Sequence, residues 1–447
     1  MINFDSLRFG GIFNLYNKLK LKLISQWQHI SLSALKIKLI KLLSGLPDHS
    51  STPEKTIEKL VKYEKFSIFF GASRVGFNQN VSHRPTRTDY FGLTMRIIGQ
   101  INLARLICLT VIDNEDYQLY LGDIAYKTKH RTVVNFLLTV VFLFGVINSE
   151  WLVLYDKGGA FSGLSIYSAI IKNGFDPVLL QMTSNQAIKF QRSIHILITQ
   201  LNRSFKFCCL FLAARYFSIL LFNPNFYQDK EFVFYSLVWS LIAISVTFTL
   251  IGKYFAIFGY LILIQVYHLV RLESVVELAD SYRSSKFSNE LVSSFTKYTF
   301  DSLNQSEKCF KRTGFLVLCI FTVIAFIGDL CIFYGFIIRF HSPLFANSVG
   351  SMGCVVFIII GCLSFIAREF IIKMERLYSH LHVICPYNVF NVYNQLKLLQ
   401  LMERLSEPNN GIQLGSIATI GKDFFIRFML EIGSSLMLFT LNFKRYF

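Results

Sequence analysis

The chain alternates long apolar runs with basic, polar stretches, and the apolar runs have bilayer length. Roughly 20 apolar residues are needed to cross a hydrocarbon core as one helix. Seven segments approach or exceed that length: 90–112, 133–155, 205–222, 232–270, 314–338, 351–372 and 424–443. The first carries Arg96, Gln100, Asn102 and Arg105. Each central Arg costs about 2.5–3.5 kcal/mol on insertion, so this helix needs partners inside a bundle. The fourth is apolar throughout except for Gly252-Lys253 and reads as one long helix or as two helices in a tight hairpin. Between the spans, 156–204 reads as a loop with short helices, 271–313 as a charged, Ser-rich segment, and 396–405 has helical periodicity.

Residues 1–89 form a basic, mixed N-terminal region ahead of a seven-helix domain at 90–447. Within it, 16–43 alternates Leu and Ile with Lys, which suits an amphipathic helix on the inner leaflet or a packed cytosolic helix. Residues 46–55 read as a loop. The first fifteen residues lack the order of a cleaved signal peptide, so the first span is expected to act as the signal.

Composition agrees with a membrane class. Of 447 residues, 53% are hydrophobic and 16% charged, with mean hydropathy +0.45, too little charge to cover a soluble protein of this size. The net charge of +17 then belongs to loops facing anionic lipid rather than to a nucleic-acid surface. Counting 232–270 as one helix puts 1–89, 156–204, 271–313 and 373–423 on one side, with most of the Lys and Arg. The fold expected is an all-α membrane protein of seven transmembrane helices, N-terminus cytosolic and C-terminus extracellular. A rival count drops the first span and splits the fourth. It turns Lys172, Lys189, Arg192 and Arg203 outward, against the positive-inside bias. Nine cysteines show no CxxC spacing, and six of them lie in apolar runs as small hydrophobes.

The last apolar run closes with Ser435-Leu436-Met437-Leu438-Phe439-Thr440-Leu441-Asn442-Phe443. This resembles the signature ending the last transmembrane helix of arthropod gustatory receptors: Thr-Tyr, five mostly apolar residues, then Gln-Phe. Phe443 is kept, while Ser435, Leu436 and Asn442 stand for Thr, Tyr and Gln. The segment 66–80, FSIFFGASRVGFNQN, is similar to the stretch before the family's first helix, and the common layout covers 66–447. The resemblance implies a ligand-gated, non-selective cation channel of the plasma membrane, a homo- or hetero-tetramer whose last helices line a central pore. It implies a small-molecule tastant as ligand, a pocket in each subunit opening outward, and an anchor built from helices 4–6 and their cytosolic extensions. Ser435, Leu436, Phe439, Asn442 and Phe443 are the pore-lining candidates. Ser435 and Asn442 lie two turns apart with Phe439 between them, a face that suits a hydrophobic constriction with a polar ring, or else helix–helix hydrogen bonding.

Ionisable residues within spans are functional suspects, because unpaired charge in lipid is costly. Asp329, Arg215 and Arg105 lie mid-span. An Asp329–Arg215 or Asp329–Arg105 pair is expected, either flooring a ligand pocket or fixing helix register. Glu150, Lys253 and Arg368-Glu369 lie near span ends and are expected to snorkel. Tyr216, Phe217, Tyr235, Trp239 and Tyr334 stand near the outer ends, as pocket walls or as an interfacial belt. No phosphate loop, HExxH or GxSxG points to an enzyme, and His380, His382 and Cys385 are too few for a metal site. No cofactor is expected; the partners are tastant, membrane lipid and other subunits. The triplets at Asn80, Asn202 and Asn304 fall on the cytosolic side and are expected to carry no glycan. Two alternatives are a G-protein-coupled seven-helix receptor, which lacks its Asp-Arg-Tyr-type triplet here, and a transporter, which needs paired broken helices.

Overall fold

A chain this apolar has to satisfy its backbone hydrogen bonds internally, and it does so with helices. The computed structural model describes residues 52–78, 87–128, 131–157, 159, 161–222, 230–283, 288–339, 343–385, 390–407, 411–415, 418–421 and 424–443. The amphipathic 16–43 stretch and Asn80 lie outside them. In chain order the helices are α1 (Pro53–Phe69), α2 (Arg87–Val111), the short α3 (Glu115–Tyr120), α4 (Arg131–Lys157), α5 (Ser165–Asn173) and α6 (Pro177–Leu180). There follow α7 (Ser184–Phe222), α8 (Lys230–Arg283), α9 (Asn289–Ile332), α10 (Pro343–Ile384), α11 (Val392–Ser406) and α12 (Phe424–Phe443). A π-helical turn, Phe333–Ile338, ends α9, and a two-stranded hairpin (β1 Gln413–Leu414, β2 Ala418–Thr419) precedes α12. Among the described residues six helices are long and apolar enough to cross a membrane: α2, α4, α7, α8, α9 and α10. With the 20-residue α12 they make an all-α membrane protein.

Four of these helices outrun the bilayer. The 54 residues of α8 rise about 80 Å, against roughly 30 Å of hydrocarbon, without a break at Gly252-Lys253. The hairpin alternative for 232–270 is thereby excluded. The segment 184–204, expected as loop, is the first half of α7, because Ala187, Phe190, Ile194, Ile198 and Leu201 form one buried stripe at helical spacing. Likewise 271–283 and 289–313 are continuations of α8 and α9. We call this the extended end. It holds the largest core, where Tyr167, Phe190, Tyr260, Phe310 and Leu401 are buried. Polar pairs tie its helices together: Lys373 with Glu273, Arg376 with Asp280 at 2.9 Å, and Arg404 with Glu307 at 2.8 Å.

The helix α1 belongs to the same unit as the spans. Its buried Tyr63 hydroxyl donates to the Ala256 carbonyl of α8 at 2.8 Å, and burial raises its pKa well above the ordinary value, so it stays a donor. At the opposite, short-loop end one charged knot fixes the 113–131 loop. Arg131, at the start of α4, places Nε 2.6 Å from Asp123 Oδ2 and donates through Nη2 to the Leu109 and Ile112 carbonyls at the end of α2. Asp123 is fully buried and also accepts from Asn135 Nδ2 (2.9 Å) and Ala125 N (3.0 Å).

Replacing Arg131 by Leu strands the Asp123 carboxylate, an expected loss of about 3–5 kcal/mol. In purified protein this lowers the thermal unfolding midpoint. The double variant Arg131→Leu/Asp123→Leu is expected to recover most of the loss. Equal midpoints for wild type and Arg131→Leu would remove the knot from the account.

Candidate ligand site at the short-loop end

The site is built where the 113–131 loop folds back onto α2, α4, α7 and α8. Arg105, toward the C-terminal end of α2, is buried and donates through Nε to Leu121 O (2.6 Å) and through Nη2 to Gly122 O (2.7 Å). Its Nη1 reaches Asn102 Oδ1 at 3.2 Å, and its guanidinium carbon lies 4.9 Å from the centre of the Trp239 ring. Carbonyl dipoles and an aromatic face thus receive the charge in place of a carboxylate. The expected Asp329–Arg105 pair does not form. Asp329 Oδ1 is buried without a hydrogen-bond partner among the described residues. The Arg215 side chain lies outside the described set, and with it the Asp329–Arg215 alternative.

The loop can seat this closely because residue 122 is glycine. Its φ is +58°, and a Cβ there would stand 2.7 Å from Tyr235 O and 2.9 Å from Ser236 Cα. Trp239 Nε1 donates to Tyr120 O at 3.1 Å, and the Tyr120 and Tyr235 rings meet edge to face at 5.3 Å. Arg105, Asn135, Tyr216, Trp239 and Ser240 then close on one another and leave no water-sized space between them. Within this closed cluster Asn135 Oδ1 and Ser240 Oγ, and beside it Asn102 Nδ2 next to Arg105 and Ser236 Oγ next to Gly122, are buried without a partner among the described residues. Such atoms are costly to leave unpaired.

Of the residues singled out in the sequence, Arg105, Tyr216, Trp239 and, through Tyr120, Tyr235 come together here. Phe217 is half-buried one residue on from Tyr216. Tyr334 does not join them. It sits in the π-helical turn, buried with Phe333 against Val134 and Leu137 of α4. Asn135, Ser236 and Ser240 escaped the sequence reading, and Asn102 entered it only as a polar residue of the first span. Their signal was the spacing of small polar residues three or four apart on apolar helices.

The charges nearer the extended end also differ from expectation. Glu150 and Lys253 do not snorkel: Glu150 pairs with Arg96 of α2, and buried Lys253 donates to Ser149 O and Oγ at 2.7 and 2.9 Å. They line a cavity of about 270 Å³ between α1, α2, α4 and α8. Among the described residues no group of His, Cys, Asp or Glu could hold a metal ion.

On α12, Phe424, Phe428 and Leu436 pack against the core and Ile432 is buried, which turns the expected pore residue Leu436 toward the protein's own helices. Ser435 is half-buried beside it. The open face is instead Leu430, Ser434, Met437, Leu438 and Leu441. The side chains of Phe439, Asn442 and Phe443 lie outside the described set.

Gly122→Ala is expected to lift the loop from α8 and cost about 1–3 kcal/mol. The readouts are the unfolding midpoint and the fluorescence of Trp239, whose contacts change with the loop; an unaltered midpoint and spectrum would contradict the seating described.

No family model and no curated protein sequence matches the chain. Its structure is similar to that of the insect olfactory receptor OR5 from Machilis hrabei, with TM-score 0.55 and 10% identity over 85% of this chain and 97% of the other. It is similar also to the same receptor in complex with eugenol, with TM-score 0.56 and 9% identity over 88% of this chain and all of the other. Over 85–88% of its length, the chain carries the fold of an insect olfactory receptor.

Proposed function

We propose that the chain is a subunit of a ligand-gated, non-selective cation channel, of the gustatory-receptor kind, that detects a small-molecule tastant at the plasma membrane. The observation that carries this reading is the fold it shares with an olfactory receptor along that receptor's full length, in a structure holding eugenol. The tastant would enter from the short-loop end, displacing the closed contacts of Arg105, Tyr216 and Trp239 and pairing with the unpartnered amide and hydroxyl groups of Asn102, Asn135, Ser236 and Ser240. The extended end, rich in Lys and Arg, faces the cytosol in this reading.

Four subunits, identical or mixed, would surround a pore lined by α12. Two features support that role. The helix buries one side against α9, α10 and the π-helical turn and leaves Leu430, Met437, Leu438 and Leu441 about 60% exposed or more. Ser434 adds a polar position to that open face, and Asn442 follows Leu438 by four residues in the sequence. The expected pore set is therefore shifted round the helix, to Ser434, Met437, Leu438, Leu441 and Asn442. The ligand site reaches α12 through α4. Asn135 and Leu138 border the ligand cluster, while Val134, Leu137 and Val141 pack on Phe333 and Tyr334, which hold Leu436. A π-helical turn at that junction is a natural place for a hinge.

The test is whole-cell current from cells expressing the chain, across sugars, bitter compounds and fatty acids. Trp239→Phe removes the N–H bonded to Tyr120 O and is expected to shift the half-maximal ligand concentration by about five- to ten-fold, with ion selectivity unchanged. Asn442→Ala is expected to alter selectivity or block with little change in ligand sensitivity. A ligand response that requires a G protein and no conductance of its own would overturn the reading.

A further inference from the structure

At the extended end, α1 and α7 enclose a second cavity, of about 360 Å³. Four basic residues face it, Lys59 and Lys62 from α1 and Arg203 and Lys206 from α7, and no acid is among the described lining residues. Its floor is apolar and aromatic, with Tyr63, Phe66 and Phe255. The walls are held in place by buried polar contacts. Thr56 Oγ1 meets His195 Nδ1 at 3.1 Å and accepts from Gln191 Nε2 at 2.8 Å. Lys59 Nζ lies 2.8 Å from His195 Nε2 and donates to Thr199 Oγ1 at 2.6 Å. Lys62 pairs with Glu58, which lies exposed outside the cavity.

We infer that this cavity binds the headgroup of a phospholipid carrying phosphate monoesters beside its diester. Three observations converge on that ligand. The first is charge: four cations, of which Lys62 is already paired with Glu58, repay a multiply charged anion far better than a singly charged one. The second is depth. Arg203 and Lys206 open the apolar run that continues to Phe222, at the level where a span leaves the hydrocarbon. The third is the adjoining surface. Phe207 and Leu210, in the next turn of α7, are each 71% exposed and suit contact with acyl chains beside the charged rim. A headgroup seated here would clasp α1 to α7 and so bias the packing of the segment before the first span. The inference rests on the proposed orientation, with this end toward the cytosolic leaflet, and not on conduction.

Binding to the purified full chain tests it whether or not the protein conducts. The probes are phosphatidylcholine vesicles containing a minor fraction of phosphatidylinositol bisphosphate, of phosphatidylserine, or of neither; soluble inositol trisphosphate and inorganic phosphate are run beside them. Retention on the bisphosphate vesicles and a raised unfolding midpoint are expected. The double variant Arg203→Gln/Lys206→Gln, checked for an unchanged fold by gel filtration, is expected to bind roughly 10–30-fold more weakly. Lys311→Gln, basic but away from this cavity, is expected to bind as wild type. Affinity of the double variant within about two-fold of wild type would overturn the site. Equal binding of phosphatidylserine would overturn the monoester specificity. Inositol trisphosphate binding as tightly as the lipid would replace the lipid with a soluble phosphate ester.

Discussion

The arrangement at the short-loop end follows from placing two arginines where water is scarce. A guanidinium in a bundle has five donors and a charge to settle. Arg131 settles both on Asp123 and the last carbonyls of α2, and Arg105 on the Leu121 and Gly122 carbonyls and the face of Trp239. Because the acceptors are backbone atoms of the loop and the end of α2, with one loop carboxylate, the charges fold the loop as well as neutralise themselves. Asp123, Gly122 and Tyr120 then fall against α4 and α8, and the candidate cluster closes beneath them. Stability and the candidate site share the same atoms here, so a ligand that opens the cluster acts against contacts that hold α2, α4 and α8 in register.

The extended end solves a different problem. The helices continue beyond any bilayer with polar surfaces and one apolar stripe each, so water is available outside and burial inside. Long amphipathic helices need tertiary packing to hold them, and α1, α11 and the hairpin supply it together with the charged pairs among α8, α9, α10 and α11. Gly415 N donates to Gly314 O at 2.9 Å, which pins the hairpin to α9 just ahead of α12. The last helix therefore starts from a fixed platform.

The sequence made the apolar helices legible where a run is bounded by breakers. The limits of α12 are those of the apolar stretch between Asp423 and Lys444. It hid the helices that leave the membrane, because a stripe such as Ala187, Phe190, Ile194, Ile198 and Leu201 is diluted by polar neighbours until burial is known. It also misdirected the search for partners. Opposite charge is the obvious mate for Arg105, and Asp329 was the obvious carboxylate, yet loop carbonyls far from either in pattern do the work. Carbonyl acceptors carry no side-chain signature, so no reading of residue types could have found them. The aromatic candidates Tyr216 and Trp239 were legible as a kind, while Tyr334 belonged to a different contact, across α4.

That contact bears on how a site at one end of α2 could act on the last helix. The helix α4 is shared: Leu138 touches the clusters on both sides, with Leu106 and Phe142 toward α2 and Phe333 and Tyr334 toward α9. Close-packed interiors pass on a displacement rather than absorb it, so moving α4 moves the π-helical turn. That turn ends at Arg339 in the left-handed region (φ 54°) and is crowded by glycines, Gly335 lying against Gly350 and a Cβ at Gly353 falling 2.8 Å from Gly328 O. Small residues let α9 and α10 approach closely and slide. Leu436 rests on this junction, and α12 has little else along its outer half among the described residues. A shift of the turn would therefore pass to α12 through Leu436, as the gating role proposed for that helix requires.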